Sequence, residues 1–142
     1  MIFSAFKPLE TPFLRYSSWI LRITAAVILT QSLSYKFGAH PDSIELFSQL
    51  GVEPTGRIAL GIIELLVSLL LIIPRTQVLG SIGGMGIMTG AIFIHIFIIG
   101  IVFREDGGGL FALALGCFLA CALNFLFYSK QLSSLIKLKY GK

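Results

Sequence analysis

Hydrophobic positions run along this chain in long blocks, with polar residues gathered into short gaps between them. Four blocks stand out, at residues 17–37, 57–73, 76–103 and 109–128. Each has the length of a membrane-crossing helix, for which roughly 17–25 residues suffice. Lipid offers no partner to an open strand edge, so helices are the expected form. The pattern predicts an all-α protein, an integral membrane four-helix bundle forming a single transmembrane domain over residues 1–142. The second block stops at Pro74. The third is longer than a bilayer requires, so it should tilt or project.

Composition agrees with the pattern. Of 142 residues, 56% are hydrophobic and only 13% are charged. A soluble domain of this size could not hide that much apolar surface, which makes the chain a membrane protein. The first block is preceded by Lys7, Pro8, Pro12 and Arg15 and contains Arg22, so it reads as a retained helix rather than a cleaved leader.

Charge then sets the direction. Lys7, Arg15, Arg75, Lys130, Lys137, Lys139 and Lys142 fall at the two termini and in the gap between the second and third blocks. Those are seven of the eleven basic residues, with Glu10 the single acid among them. Asp42, Glu45, Glu53, Glu105 and Asp106 occupy the other two gaps. The positive-inside rule therefore predicts N-in/C-in topology with the acidic loops outside, in a multi-pass protein of the cytoplasmic membrane. The net charge of +4 reads as topology and contact with membrane lipids, not as nucleic-acid binding. Trp19, Tyr16 and Tyr128 fall at expected interface depths.

The first outer gap, "HPDSIELFSQLGVEP", predicts a short amphipathic helix. Asp42 would cap it with Glu45 as the capping-box partner, Ile44, Phe47 and Leu50 would share a face, and Gly51 would end it. Cys117 and Cys121 lie four apart and share a helix face, where they read as small packing residues. A disulfide between them in a regular helix has poor geometry.

The chemistry lies in the few polar residues inside the apolar blocks. A charge at the centre of a bilayer costs about 2.5–3.5 kcal/mol on insertion scales, so Glu64 should face the bundle. Arg57, Gly61, Glu64 and Ser68 follow one helical stripe. Gly80, Gly84, Ala91 and His95 form a small-residue face on the third block, with Gly86 and Gly90 as a second small pair. Such faces serve the bundle or a homo-oligomer. Counting about 1.5 Å per residue sets Glu64 about 10 Å and His95 about 12 Å from the outer side. Lys36 ends the first block on that side, with Tyr35, Gln31 and Ser32 adding polar reach. Glu64 and His95 are the candidate catalytic groups, and Lys36, Tyr35, Gln31 and Ser68 the candidate ligand contacts. Arg22, near the inner end, is expected to snorkel to lipid phosphates or to pair with Asn124. One His and one Glu make only a weak metal site, and no metal ligand is assigned. No phosphate loop or dinucleotide fingerprint is present.

The stretches "SLSYKF", "FSQLGVEP", "GIIELLVSLLLIIPRT" and "MGIMTGAIFIHIF" together resemble the DoxX-like family of small bacterial four-helix membrane proteins. The resemblance runs over residues 21–127. The family's Lys-Phe pair corresponds to Lys36 and Phe37, its Gly-x-x-Glu to Gly61 and Glu64, and its Gly-Ala followed by His to Gly90, Ala91 and His95. The resemblance implies a bacterial inner-membrane oxidoreductase subunit, since one branch is similar to a subunit of thiosulfate:quinone oxidoreductase and another is linked to redox-stress complexes. On that reading a quinone head would meet Glu64 and His95, Lys36 would hold charge on the reduced head, and a redox partner protein would supply electrons. Two other readings stand beside it. One is a proton-coupled small-molecule transporter or lipophile-binding protein. The other is a non-catalytic scaffold that docks a redox partner through the loop helix.

Overall fold

Residues 9–140 are described by a computed structural model. Lys7 and Lys142, used above to assign the inner side, lie outside the described residues, as do Pro8 and the side chains of Lys130 and Lys139. The chain forms α1 (Pro12–Phe37), α2 (Pro41–Gln49), α3 (Thr55–Ile72), α4 (Gln77–Ile94) continued by a π-helical turn (His95–Ile99), and α5 (Gly109–Tyr140). No strand occurs among the described residues.

Among the described residues, three segments are long and apolar enough to cross a membrane: Thr55–Ile72, Gln77–Ile99 and Gly109–Ser129. The expected first span falls short by apolarity, not by length. Its helix has 26 residues but carries Arg15, Arg22, Gln31, Lys36 and six serines and threonines.

The four long helices pack in a ring, α1 on α3, α3 on α4, α4 on α5, and α5 back on α1. They share one core, to which α1 gives Ala25 and Leu29, α3 gives Val67 and Leu71, α4 gives Met88, and α5 gives Ala114, Cys117, Ala120 and Cys121. The usual distribution of polarity is inverted. Arg22, Arg57, Glu64, His95 and Asn124 are buried, while Ile62, Leu66, Leu69, Phe93, Phe97 and Leu126 are exposed. Water would punish that arrangement and a hydrocarbon solvent rewards it.

Small residues set how closely the helices meet. A Cβ on Gly80 would stand 2.6 Å from the Leu71 backbone nitrogen, so α3 and α4 touch backbone to backbone there. A Cβ on Gly84 would stand 2.5 Å from the Cys121 sulfur. Gly86 and Gly90 have nothing within 4 Å of such a Cβ, so the second small pair points outward.

Helix ends are closed by specific partners. The last carbonyls of an α-helix have no intrahelical donor, and leaving one unpaired in a dry setting is costly. At the end of α3, Leu70 O accepts from Thr76 Oγ1 at 3.0 Å. Leu71 O and Ile72 O accept from Arg22 Nε and Nη2, each at 2.6 Å. Arg22 is therefore buried, with its guanidinium 4.1 Å from the Trp19 ring centroid, and does not snorkel to phosphates. The opposite end of the pair mirrors this. Arg57 of α3 donates through Nη1 to the Lys36 carbonyl in the last turn of α1. Each of these antiparallel helices thus caps its neighbour with an arginine.

The loop helix differs in its cap. His40 is the N-cap, with Nδ1 accepting from the Asp42 amide at 3.3 Å, and Pro41 opens the helix. Asp42 is inside the first turn, and Glu45 accepts from Gln49 rather than closing a capping box. Proline suits the first helical position because its missing N–H would be unpaired there. At the other end Gly51, at φ +70°, donates to Ser48 O and Val52 donates to Phe47 O. That is a Schellman closure, which requires the left-handed backbone glycine supplies. The third block also ends earlier than expected. Gly100, at φ +86°, turns the chain, and Phe103 is buried in the following loop. Tyr128 is buried beside Leu9 and Val78 instead of facing an interface, because it continues the inward stripe of Cys117, Cys121 and Asn124.

Replacing Arg22 with Met keeps bulk but removes both donors to the α3 carbonyls. The variant is expected to lose about 2–4 kcal/mol of stability, read by reversible unfolding in mixed micelles. An unchanged midpoint would show that those carbonyls need no partner.

Candidate functional site

Ser32 and Lys36 lie one turn apart at the end of α1, on the same face. Glu64 lies on the α3 stripe that faces them. Ser32 Oγ donates to Glu64 Oε2 at 2.6 Å, and Lys36 Nζ reaches the same oxygen at 2.9 Å. Lys36 Nζ also donates to Ser32 Oγ at 3.2 Å, which closes a triangle. The Glu64 and Lys36 side chains are only 5% and 12% exposed, so this is a buried ion pair. Desolvating two charges offsets most of their attraction, but losing one partner strands the other. Gly61, one turn from Glu64, makes room for the Phe37 ring, 2.8 Å from where a Cβ would stand.

A second pair braces the first. Arg57 Nε lies 2.9 Å from both oxygens of Glu53, and Arg57 also donates to the Lys36 carbonyl. Glu53 thus orients Arg57, and Arg57 holds the backbone of the residue whose ammonium meets Glu64.

His95 stands at the start of the π-helical turn and is buried. Its Nδ1 lies 2.9 Å from Gly100 O, and its ring meets Phe111 edge-on at 5.8 Å. Such turns widen a helix and recur at functional positions. The loop beyond is organised by Asp106, which accepts from the Phe103, Gly108 and Leu110 amides at 2.9, 2.9 and 3.0 Å. These bonds, first that from Leu110, hold its carboxyl below the usual value against the opposing effect of burial, with a smaller electrostatic contribution from His95. Arg104 ties the same loop to α2 through Asp42 at 3.2 Å.

The expected contacts do not all meet. Lys36, Ser32 and Glu64 come together. Tyr35 is exposed and packs on His40 at 4.7 Å between ring centroids, and Gln31 is also exposed. Ser68 is buried but donates to Leu65 O within its own helix at 2.7 Å. Glu64 and His95 both face inward at different levels. Gly80 packs on Leu71 and Gly84 on Val67, and that antiparallel register carried onward sets His95 opposite Gly56. Gly56 is two turns from Glu64, or about 12 Å. An open groove of about 430 Å³ on α3 is lined by Pro54, Thr55, Ile58, Ala59 and Ile62, none of them a candidate residue.

A further polar cluster lies toward the turn between α3 and α4. Ser18 Oγ donates to Asn124 Oδ1 at 2.6 Å, and Asn124 Nδ2 donates to Ser81 Oγ at 2.8 Å. Gln77 Oε1 lies 3.4 Å from Ser18 Oγ. Asn124 therefore pairs with serines and not with Arg22. The signal was the spacing of polar residues at 18 and 22, 77 and 81, and 117, 121 and 124, each a helical repeat. Among the described residues, no buried side-chain nitrogen or oxygen lacks a partner. No group of three or more His, Cys, Asp and Glu suited to a metal occurs among them either.

The sequence profile of the DoxX-like family matches residues 20–123. No curated protein and no solved structure matches the chain.

Two measurements probe this geometry. Glu64→Leu leaves Lys36 without its counter-ion and is expected to cost about 3–5 kcal/mol, whereas Lys36→Met with Glu64→Leu recovers most of it. Equal losses in the single and double variants would remove the coupling. For Asp106 the folded-state value is depressed, so its contribution is present above the unfolded value of about 3.9 and fades as pH falls through the folded one. Asp106→Asn should flatten the fall in thermal stability of the detergent-solubilised protein below about pH 4. A wild-type profile identical to that of the variant would contradict this.

Proposed function

The chain belongs to the DoxX-like family, and on that premise we propose that it is a quinone-linked redox subunit of a bacterial inner membrane. All four long helices would cross the bilayer with both termini inside. The observation that carries the reading is the buried Lys36–Glu64–Ser32 triangle, in a bundle that also buries His95. A quinone becomes a quinol by taking up two electrons and two protons. The electrons would come from a reduced centre on a partner protein, and the protons from groups at the ring.

The spacing suits that division of labour. Groups about 12 Å apart along the helix axis can address the two carbonyls at opposite ends of one ring. His95 would donate to one carbonyl. Lys36 would turn from Glu64 toward the other and stabilise its developing negative charge. Glu64 would hold the ammonium in place, and that ammonium would supply the second proton. The exposed aliphatic faces of α3 and α4 would give the isoprenoid tail a lateral approach.

The proton-coupled transporter is less well supported by the same triangle. A coupling carboxylate must be free to exchange its proton with substrate, and Glu64 is already engaged by two donors.

Protein purified in mild detergent should carry quinone, read by organic extraction and mass spectrometry against total lipid. His95→Ala and Lys36→Met should lower occupancy by about tenfold, a loss of about 1.4 kcal/mol, while Ser68→Ala leaves it unchanged. Quinone no higher than in bulk lipid, and equal in all variants, would refute the reading. Proton-driven uptake in liposomes that is lost in Glu64→Gln would move the assignment to transport.

A further inference from the structure

The two cysteines of α5 have no part in the reading above. Cys117 and Cys121 lie one turn apart on the inward face, both buried. Gly84 of α4 lies directly against the Cys121 sulfur. Ser81 meets Asn124 in the same antiparallel register. One turn beyond Gly84, that register sets Met88 beside Cys117. Met88 is buried in the same core cluster. Ala25 O of α1 lies 3.9 Å from Cys117 Sγ. Three sulfur-bearing side chains therefore lie on the facing stripes of α4 and α5, all of them buried.

We propose that Cys117, Cys121 and Met88 form a binding site for one soft monovalent cation, Cu(I) or its analogue Ag(I). Thiolate and thioether are soft ligands that select Cu(I). Zinc favours a closed tetrahedron of thiolate, imidazole and carboxylate, which this trio does not supply. Charge points the same way. A bare thiolate is costly in a dry core, but a monovalent cation with one thiolate is neutral. Binding exchanges one thiol proton for the metal: Cys–S–H and M⁺ give Cys–S–M and H⁺, with no electron transferred. The released proton passes to the bulk buffer. The second cysteine stays a thiol and completes the set with the thioether. A disulfide is the poorer use of this pair, since sulfurs one turn apart on a regular helix miss its geometry. The site shares no residue with the quinone reading and stands or falls apart from it.

The test uses full-length protein in detergent, titrated anaerobically with Cu(I) in the presence of a chromophoric Cu(I) chelator. A parallel sample is expressed in copper-supplemented cells and its metal content measured, so that slow entry into the core is covered. One Cu(I) per chain is expected, with sulfur-to-metal absorption in the near ultraviolet. Affinity should fall at least about tenfold in Cys117→Ser, Cys121→Ser and Met88→Leu, none of which changes side-chain volume much. Thermal unfolding of each variant confirms that it is folded. Substoichiometric copper in both samples overturns the proposal, as does full binding by the Cys117→Ser, Cys121→Ser double variant. Unchanged affinity in Met88→Leu overturns the three-sulfur site.

Discussion

The carbonyl groups at a helix end must find donors, and inside an apolar solvent they must find them within the protein. In the α1–α3 pair that requirement is met reciprocally. Arg22 reaches from α1 to Leu71 O and Ile72 O, and Arg57 reaches from α3 to Lys36 O. Guanidinium suits the task because it offers several donors in a fixed plane and is weakly hydrated. The negative end of each helix dipole also favours a cation there. Two charges that look misplaced in apolar segments thus set the register of the pair, and Lys36 meets Glu64 because of that register.

Polar groups are not spread evenly through the interior. One cluster, Glu53, Arg57, Lys36, Ser32 and Glu64, lies toward the α2 end. Another, Ser18, Gln77, Ser81 and Asn124, lies toward the α3–α4 turn. Leu29, Val67, Leu71 and the two cysteines pack between them. Each cluster satisfies its own hydrogen bonds, and an aliphatic layer separates them. Chemistry proposed for the ion-paired end therefore has access from that end and from the side, with no polar route through the core.

The π-helical turn links this end to the loops. By widening the last turn of α4 it places His95 against Gly100 O and Phe111. Asp106 then closes the start of α5, and Arg104 joins the loop to α2. A histidine held by backbone at a loop hinge differs from one held by a carboxylate, because its orientation follows the loop.

Much of the framework was legible in the chain itself. Block lengths located the helices, and the cost of buried charge predicted that Glu64 and His95 would turn inward, where both are buried. Gly51 announced the end of the loop helix through its backbone freedom. These features depend on local period, on single residues, or on a solvent property that acts on each residue alone. Partners were not legible. That Arg22 caps α3 instead of reaching phosphates, that Asn124 joins Ser18 and Ser81, and that His95 meets Gly100 and Phe111 all follow from how helices slide past one another. That sliding is fixed by close contacts such as Gly80 on Leu71. A sequence determines which face of each helix looks inward, but only packing decides which residues on those faces stand at the same height.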